Sequence, residues 1–565
     1  MRKLEQIQLN KLISRYGGVG SIIETNTNGS LLILEYDQWE CFKEQRFRNA
    51  TSANDPRLLN YVRKNGYDHI QSLVLIPTPD LSGKVYKAES CDLAKTVSAK
   101  FFPEWYYCPN PNCRKLKKLS EWKAGWENKF DKNSFDKNEP SCCYCSTPRG
   151  GTQYRRTPLQ QVRFVMASLE TGDMKDVPFD QLWENGPENG IWTTQRVRGG
   201  ATNRGELSYH TMPSGDGLNA IYIVREYNGC KSRIYLSEIE RNYIINNGGA
   251  YKMIVRGSNT LYFPHIVHSL YIPTGENIVC ATEEELNISE FRYLTDDENY
   301  RNNMIVVEDL IVKRTGLSSK FITRISAIER LKETSVLLSY SRLERGGQKR
   351  LWYNVQEGRV GEMVTKIKRP FSVACLNPTW IPVVEDFGEG ILFEVDCSAL
   401  GNVFDDIKAF VHTFCHIVMK ELEFQCGYPL TSLNEKIYVD IEKKKAAFMI
   451  YTIAGSEGSY GGLVTLTNDE KIVKLIERGT ERAKNCPNDP ICINEPSYHC
   501  FACLDLPETS CIEFNDNLNR RMFLVKYYPV PDVVQPMVNT ENYLRDDQDC
   551  QSLGNEIGRP KGVVL

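Results

Sequence analysis

The 565-residue sequence lacks a long apolar run. No segment reaches the ~18 consecutive apolar residues that are needed to span a bilayer. The N-terminal segment MRKLEQIQLNKLISRYGG has basic residues but no continuous apolar core of the kind that a signal peptide carries. We therefore expect a cytoplasmic protein that does not bind a membrane.

The sequence also has no excess of charge of either sign. Lys and Arg number 69, Asp and Glu number 72, and the net charge is −3. Because this balance produces no global attraction to DNA, any nucleic-acid contact must come from a local basic patch. The hydrophobic fraction of 41% excludes wholesale disorder. A chain of this length is expected to form about two to four domains.

Signatures of common enzyme classes are missing. The sequence contains no Gly-x4-Gly-Lys-Ser/Thr loop, no His-Glu-x-x-His zincin motif and no Gly-x-Ser-x-Gly elbow. The glycine-rich segments GGVG at Gly17 and GSEGSYGG at Gly455 have no diagnostic partner and are interpreted as tight turns. These absences predict a non-enzyme, with no catalytic residue and no nucleotide site.

Short apolar runs predict strands in the N-terminal and middle regions, in SIIET, SLLILEY, SLVLIP, NAIYIV and SRIYL. A helix is predicted from Leu236 to Asn246. The segment FDDIKAFVHTFCHIVMKELEFQCGY predicts a buried helix of ~six turns, capped by Asp405 or Asp406 and ended at Gly427. Strands in KIYVDIE and AAFMIYTI follow, and then a helix from about Asn468 to Lys484.

Cysteine is abundant, with 19 residues, about half of them in two tight groups. In a chain without a secretion signal, thiols at short spacing are better interpreted as metal ligands than as disulfides. The first group, CPNPNC and CCYC, supplies Cys108, Cys113, Cys142 and Cys145. These two cysteine pairs together supply four thiolates, the number that a tetrahedral zinc ion binds. Unrelated free thiols are the alternative, and Cys143 is an alternative ligand.

The second group contains five thiols and a histidine, His499, within CPNDPIC, HCFAC and ETSC. One zinc ion takes only four ligands, so either one thiol is a spare or the site is unusual. Zinc is predicted, with an iron–sulfur cluster as the alternative, giving two zinc ions in all. Closed four-thiolate sites fold short segments but leave no position for water or substrate. The five thiols are Cys486, Cys492, Cys500, Cys503 and Cys511.

His412 and His416 form the most enzyme-like arrangement in the sequence. They lie one turn apart on the same face of the predicted helix, where they could bind a metal or support acid–base chemistry. Such chemistry would need a carboxylate, for which Glu457 is a guess. Buried helix histidines that form hydrogen bonds to neighbours are commoner, and this structural interpretation is preferred.

Two basic segments with interleaved aromatic residues, RKLKKLSEWKAGW and PRGGTQYRR, could contact phosphates and stack on bases. A solvated surface is the alternative for any single residue. The candidate nucleic-acid contacts are Arg114, Lys115, Lys117, Lys118, Arg149, Arg155 and Arg156.

Together these patterns predict a multidomain α+β protein. Its β-rich N-terminal part carries an inserted four-cysteine zinc ribbon, and its α/β C-terminal domain carries a second cysteine-rich zinc site. The predicted regions are a β-rich region (1–100), a zinc-ribbon-like module (101–150), a middle α+β domain (151–295), a connecting region (296–375), a zinc-binding domain (376–530) and a tail (531–565).

Several segments in order along the chain resemble DrmB-family proteins, the non-helicase subunits of the DISARM anti-phage defence system. These segments include RYGGVGSII, FPEWYYCPNPNC, VRGSNTLYFPHIVHSLYIP, GEGILFEVD, VHTFCHIV, EGSYGGLV and NDNLNRR. The last third also resembles the C-terminal zinc-binding domain of unknown function that the family shares with MrfA-type DNA-repair helicases. Ser168 and Asp173 stand where the family usually carries Cys and Gly-His.

The resemblance implies an accessory subunit that binds a superfamily-2 DNA helicase similar to DrmA and helps to recognise or gate invading DNA. It implies no catalytic activity for this subunit. The alternatives are a free-standing zinc-dependent DNA-binding module and a cryptic metal-dependent nuclease that uses His412 and His416.

Overall fold

A computed structural model describes residues 17–39, 51–75, 98–179, 205–240, 251–397 and 407–524, apart from gaps at 25–28, 131–134, 136–138, 151–152, 170, 214–216, 228–229, 274–278, 347–348, 355–358, 365, 372–378, 427–428, 454–461, 469, 495–497, 508–509 and 512. The chain divides into two units. The first comprises Met1–Leu286 and Lys332–Asp386, and the second comprises Asn287–Leu331 and Phe387–Leu565.

The described strands, in chain order, are β1 (Ile22–Glu24), β2 (Ser30–Ile33), β3 (Ser52–Ala53), β4 (Ser72–Leu75), β5 (Ala99–Phe101), β6 (Trp105–Tyr107), β7 (Lys115–Lys118), β8 (Thr147–Gly150), β9 (Gln153–Arg155), β10 (Gln160–Gln161), β11 (Phe164–Ser168), β12 (Met174–Asp176), β13 (Glu206–Thr211), β14 (Ile221–Tyr227), β15 (Cys230–Tyr235), β16 (Tyr251–Val255), β17 (Phe263–Leu270), β18 (Met304–Val307), β19 (Leu310–Arg314), β20 (Ile322–Ser341), β21 (Lys349–Asn354), β22 (Arg359–Val364), β23 (Trp380–Val395), β24 (Asn434–Asp440) and β25 (Lys445–Ile453).

The described helices are α1 (Pro56–Lys64), α2 (Leu119–Lys129), α3 (Glu283–Thr295), α4 (Ile407–Cys426), α5 (Gly462–Thr465), α6 (Lys471–Arg482), α7 (Ile491–Asn494) and α8 (Arg521–Leu524). Helix α1 shows how a local signal sets a helix start. The Asp55 side chain accepts a hydrogen bond from the Leu58 amide at 3.0 Å, and Pro56 occupies the first turn. An N-cap aspartate followed by proline favours a helix at this point.

The first unit is built mainly from small antiparallel sheets. The largest has the strand order β10-β6-β7-β13-β14-β15, and two three-stranded sheets have the orders β1-β2-β5 and β12-β11-β16. Strand β17 pairs with the C-terminal part of β20. Alternate residues of these strands point into the core, as the burial of Trp105, Leu116 and Ile223 shows.

The second unit combines one sheet with a buried helix. The sheet has the order β18-β19-β20-β23-β25-β24, to which β20 contributes its N-terminal part and β23 its C-terminal part. Helix α4 packs on β24, β25 and α6. Its buried residues include Phe410, Phe414 and Val418, which lie on one side at helical spacing.

Helices α4 and α6 approach closely at Gly479. A Cβ atom on this residue would lie 3.1 Å from Cγ2 and 3.3 Å from the carbonyl oxygen of Ile417. Such a distance is shorter than ordinary van der Waals contact between carbon atoms. Glycine therefore permits the observed separation of the two helices.

The predicted α+β fold class is confirmed, and so are its main elements. The apolar runs of the N-terminal and middle regions form β1, β2, β4, β14 and β15, and the long apolar segment of the last third forms α4. Residues 236–240 are helical, whereas Asp405, Asp406 and Gly427 lie outside the described residues. The six predicted regions stay a prediction.

Residues 296–375, predicted as a connecting region, contain the strands β18 to β22. The longest of them, β20, has the sequence ITRISAIERLKETSVLLSYS. Charged residues interrupt its apolar pattern, so the sequence does not predict this strand. No helix in the described part of the chain is long and apolar enough to cross a membrane.

Candidate metal centres

The first cysteine cluster begins in the turn between β6 and β7. The amide of Cys108 donates to the carbonyl of Lys115, and the amides of Cys113 and Arg114 both donate to the carbonyl of Asn110. Arg114 adopts a left-handed conformation with φ of 51°. This tight turn brings the two thiols of CPNPNC to the same side of the hairpin.

The second pair of thiols in this cluster comes from the segment CCYC. The amide of Ser146 donates to the carbonyl of Cys142, forming the second turn. The Sγ atoms of Cys108 and Cys145 lie 3.8 Å apart, and those of Cys113 and Cys142 lie 3.9 Å apart. A tetrahedral zinc ion with Zn–S distances of ~2.3 Å places its sulfur ligands ~3.8 Å apart. The four predicted thiols therefore have the spacing of a zinc site.

Negative charge is shared unequally among these thiols. Hydrogen bonds from Cys108 and Cys142 lower the pKa of Cys113, while hydrogen bonds within the cluster raise the pKa of Cys108 and of Cys142. One thiolate makes deprotonation of the next thiol harder. A divalent cation would neutralise the charges and allow all four sulfurs to bind as thiolates.

Cys143 does not join this cluster, although it lies between two of its residues. Its side chain is buried against α2, where a Cβ on Gly125 would lie 3.1 Å from its Sγ atom. The surrounding core is aromatic and includes Trp122, Trp126 and Phe135. Cys143 thus packs in the core beside the four thiols.

The second cluster contains Cys486, Cys492, Cys500 and Cys503. Their Sγ separations are 3.5 Å for Cys486–Cys500, 3.7 Å for Cys492–Cys503 and 3.8 Å for Cys500–Cys503. These values also match a tetrahedral set of sulfur ligands. Both four-cysteine clusters fit metal binding and are compatible with zinc.

Backbone amides and an ion pair support the second cluster. The amide of Asn488 donates to Cys486 Sγ at 3.4 Å, and Asp489 accepts from the Cys486 amide at 3.0 Å. Asp489 in turn binds the buried guanidinium of Arg520 at 2.5 Å. These contacts hold the turn in which two of the thiols lie.

The remaining two predicted members of this group lie elsewhere. Nδ1 of His499 contacts Asp505 at 2.6 Å, and this histidine is not among the four clustered ligands. Cys511 lies instead against His412, with 3.3 Å between its Sγ and Nε2 of the imidazole. The structure thereby identifies Cys511 as the fifth thiol, separate from the four of the second cluster.

Cys511 belongs to a third cluster with His412, His416 and Glu435. One ligand atom from each of the four lies within 4.8 Å of the others, and all four residues are buried. Glu435 Oε1 lies 3.2 Å from His412 Nε2, and Glu435 Oε2 lies 3.1 Å from His416 Nε2. Burial would raise the pKa of Glu435, but the two imidazoles, in their protonated form, lower it well below its ordinary value.

The two histidines lie on one helix face, as their spacing predicts, and their carboxylate partner is Glu435, which was not predicted. Glu457, the carboxylate named from the sequence, lies outside the described residues. Glu435 is the second residue of β24 (NEKIYVD) and is fully buried, with Ile437 and Val439 following at alternate positions of the strand. A carboxylate at an inward position of a strand is an unusual feature that could have marked it.

The seven candidate nucleic-acid contacts fall into two classes. Arg149 and Arg155 are exposed on the hairpin of β8 and β9. The other five, Arg114, Lys115, Lys117, Lys118 and Arg156, are partly buried.

Several of these partly buried side chains have partners within the first unit. Lys115 forms an ion pair with Glu206, and Lys117 donates to the hydroxyl of Tyr144 at 2.7 Å. Lys118 lies over Trp105 and Arg156 lies over Trp126, at 5.4 and 4.5 Å from the ring centres. Arg149 and Arg155 are therefore the most accessible of the seven.

The chain is similar to a known protein family and to a protein of the DISARM system. A family model described as Domain of unknown function (DUF8724) matches residues 8–262. The chain is 22% identical over 607 aligned residues to the DISARM protein DrmB of Bacillus paralicheniformis (strain ATCC 9945a / NCIMB 11709 / CD-2), covering 89% of this chain and 97% of that protein. This match over nearly the whole of both chains supports the assignment of the chain to the DrmB family, which the sequence motifs also indicate.

Proposed function

We propose that this protein is a non-catalytic accessory subunit of a DISARM-type anti-phage defence complex. The similarity to the DISARM protein DrmB along nearly the whole of both chains carries this proposal. In the proposed complex, the protein binds a superfamily-2 DNA helicase similar to DrmA and helps to recognise or gate invading DNA. The helicase supplies the nucleotide-driven step, for which this chain has no phosphate-binding loop.

The two four-cysteine clusters support a binding role. Each would surround a zinc ion with four sulfur atoms, which leaves no coordination position for water or substrate. The ions would then stabilise surfaces that contact DNA or the helicase.

The surface of the first cysteine module is the proposed DNA contact. Tyr144, which lies between the ligands Cys142 and Cys145, is 48% exposed, and the ammonium groups of Lys115 and Lys117 lie 4.8 and 5.0 Å from the centre of its ring. An exposed aromatic ring can stack on a base while nearby cations contact phosphates. Arg149 and Arg155 add two exposed charges on the hairpin that follows.

Co-expression with a superfamily-2 helicase similar to DrmA tests the proposed partner. The two proteins should co-elute in gel filtration, and the complex should bind DNA with an affinity that differs from that of either protein alone. Separate elution together with unchanged DNA affinity would contradict the proposal.

The double variant Arg149→Ala/Arg155→Ala tests the DNA surface. If both side chains contact phosphates, the slope of log K against log salt for duplex DNA should decrease by ~2, because each contact contributes ~0.9. The matched control is Lys443→Ala/Lys444→Ala, which removes two exposed charges from the turn between β24 and β25. Equal effects of the two double variants would show that the module is not the contact surface.

The purified chain alone distinguishes the second candidate function, a free-standing DNA-binding module. The exposed basic hairpin is the observation that favours it. Salt-sensitive DNA retention by the isolated chain, unchanged when the helicase is added, would favour this alternative over the accessory subunit.

A further inference from the structure

The third cluster has the geometry of a metal site that includes nitrogen, oxygen and sulfur ligands. A tetrahedral zinc ion with Zn–N and Zn–O distances of ~2.0–2.1 Å and a Zn–S distance of ~2.3 Å separates nitrogen from oxygen by ~3.3 Å and nitrogen from sulfur by ~3.5 Å. The observed separations are 3.2 and 3.1 Å between the imidazole nitrogens and Glu435, and 3.3 Å between His412 and Cys511.

The orientation of His416 supports this interpretation. Its Nδ1 lies 2.9 Å from the carbonyl oxygen of Leu504, to which only a protonated nitrogen can donate. In the neutral imidazole this places a lone pair on Nε2, the nitrogen that faces the cluster. A hydrogen bond from the second ring nitrogen to a carbonyl is the usual way in which a protein orients a metal-binding histidine.

His416 Nε2 is also buried without a hydrogen bond. It lies 3.1 Å from Glu435 Oε2 but does not have the alignment that a hydrogen bond requires. Two lone pairs that face each other at this distance repel. A cation between the two atoms would turn the repulsion into coordination by both.

The charges of the four side chains suit a divalent ion in a dry environment. A carboxylate on Glu435 and a thiolate on Cys511 together neutralise one Zn²⁺, so the loaded site would carry no net charge. Both side chains are fully buried, where a net charge would be costly. The amide of Asn515 donates to Cys511 Sγ at 3.1 Å, comparable to the amide that donates to Cys486 in the second cluster.

We propose that His412, His416, Glu435 and Cys511 bind a third zinc ion with a structural role. The ion joins helix α4, strand β24 and the segment that follows the second cysteine cluster. On binding, the Cys511 thiol releases its proton to solvent and its sulfur coordinates the ion. Four protein ligands and complete burial leave no position for substrate, so the site stabilises the second unit and performs no chemistry.

Zinc content and zinc X-ray absorption of the full-length wild-type protein test the proposal directly. If only the two four-thiol sites bind zinc, the average zinc coordination shell contains sulfur alone. With the third site, three ions share nine sulfur and three nitrogen or oxygen ligands. We expect three ions per chain and an average shell of about three sulfurs and one nitrogen or oxygen per ion. A sulfur-only shell would overturn the proposal.

A matched pair of histidine variants assigns the lighter ligands. His416→Gln should lose one zinc ion and the nitrogen or oxygen contribution. The control His499→Gln removes a histidine of the same unit that contacts Asp505, and it should retain all three ions. Loss of the light-ligand shell in His499→Gln, with retention in His416→Gln, would contradict the assignment. If His416→Gln does not fold, the wild-type shell still decides the question.

Discussion

The two four-cysteine clusters have similar sulfur spacings but very different surroundings. The first lies in a small module in which a few aromatic residues, among them Trp122 and Trp126, form the core. The second lies beside the large apolar core that α4 and α6 form with β23 and β25. A metal ion contributes most to stability where little apolar surface is buried. With zinc bound as proposed, the first module should depend on its ion for folding, and the second unit should depend on metal only in part.

The largest effect is expected for Cys108→Ser. Zinc binding contributes ~10–16 kcal/mol to the folding of zinc-finger peptides, more than a small aromatic core can replace. We expect loss of one zinc ion and of hydrogen-exchange protection in β6, β7 and α2, whereas α4 stays protected. Hydrogen-exchange mass spectrometry measures both regions in one experiment.

The control for this variant is Cys143→Ser, which changes a buried thiol of the same core that is not among the four clustered ligands. It should retain zinc and lose on the order of 1 kcal/mol of stability. If β6 and β7 kept their hydrogen-exchange protection in Cys108→Ser, the aromatic core would be shown to fold the module without metal.

A smaller effect is expected for Cys503→Ser in the second cluster. The variant should lose zinc from that cluster and show a lower melting temperature, but α4 and β25 should remain protected because their apolar core is intact. Zinc content and hydrogen exchange are the measurements. Cys397→Ser, which changes another buried thiol of this core, should keep all the zinc. Complete loss of hydrogen-exchange protection in α4 of Cys503→Ser would show that the second unit depends on its metal as strongly as the first module does.

Two carboxylates, one from each unit, show how the surroundings of an acidic side chain set its pKa. In the first unit, burial and the nearby Glu333 raise the pKa of Asp386 to about 7. In the second, two imidazoles lower the pKa of Glu435. Only the first arrangement makes the charged carboxylate unfavourable in the folded state.

Asp386→Asn should therefore stabilise the protein at high pH. Because the folded pKa exceeds the unfolded value of ~3.9, the wild-type protein loses stability as pH rises from ~4 to ~7, by up to ~4 kcal/mol, and loses no more above pH ~7. The variant should melt at a higher temperature than wild type at pH 8, with little difference at pH 4. Asp68→Asn, at an exposed site of the same unit, should show no such dependence. If the difference in melting temperature between Asp386→Asn and wild type did not depend on pH, the raised pKa of Asp386 would be wrong.

The smallest effect is expected for Gly479→Ala at the contact of α4 and α6. The added methyl group meets Ile417 at 3.1 Å, and overpacking of this kind costs ~1–3 kcal/mol, offset by the ~1 kcal/mol that alanine gains in a helix. We expect a net loss of ~1 kcal/mol in urea unfolding with zinc content unchanged. A stabilised variant would show that the helix packing adapts easily and contributes less to the second unit than its burial indicates.

The sequence predicts features that a short segment determines by itself. Cys108 and Cys113 lie in one turn, as do Cys142 and Cys145, so their spacing alone indicates ligands. The 20-residue helix α4 has a long apolar pattern and was predicted for the same reason. The family was also indicated by ordered local motifs.

Features that depend on distant contacts were harder to predict. Cys511 is 12 residues from His499 along the chain, yet its neighbour is His412, at a sequence separation of 99. Glu435 reaches the histidines only because β24 pairs with β25 beneath α4. Sequence spacing carries no information on these contacts, because the tertiary fold brings the residues together.

Leu504 gives the second unit a particular vulnerability. It directly follows Cys503, a member of the second cluster, and its carbonyl oxygen contacts the ring of His416. Insertion or deletion of one residue at this point would shift a sulfur atom and rotate an imidazole at the same time. Because Cys511 further along the chain contacts His412, natural variants are expected to keep the number of residues between Cys503 and Cys511 constant.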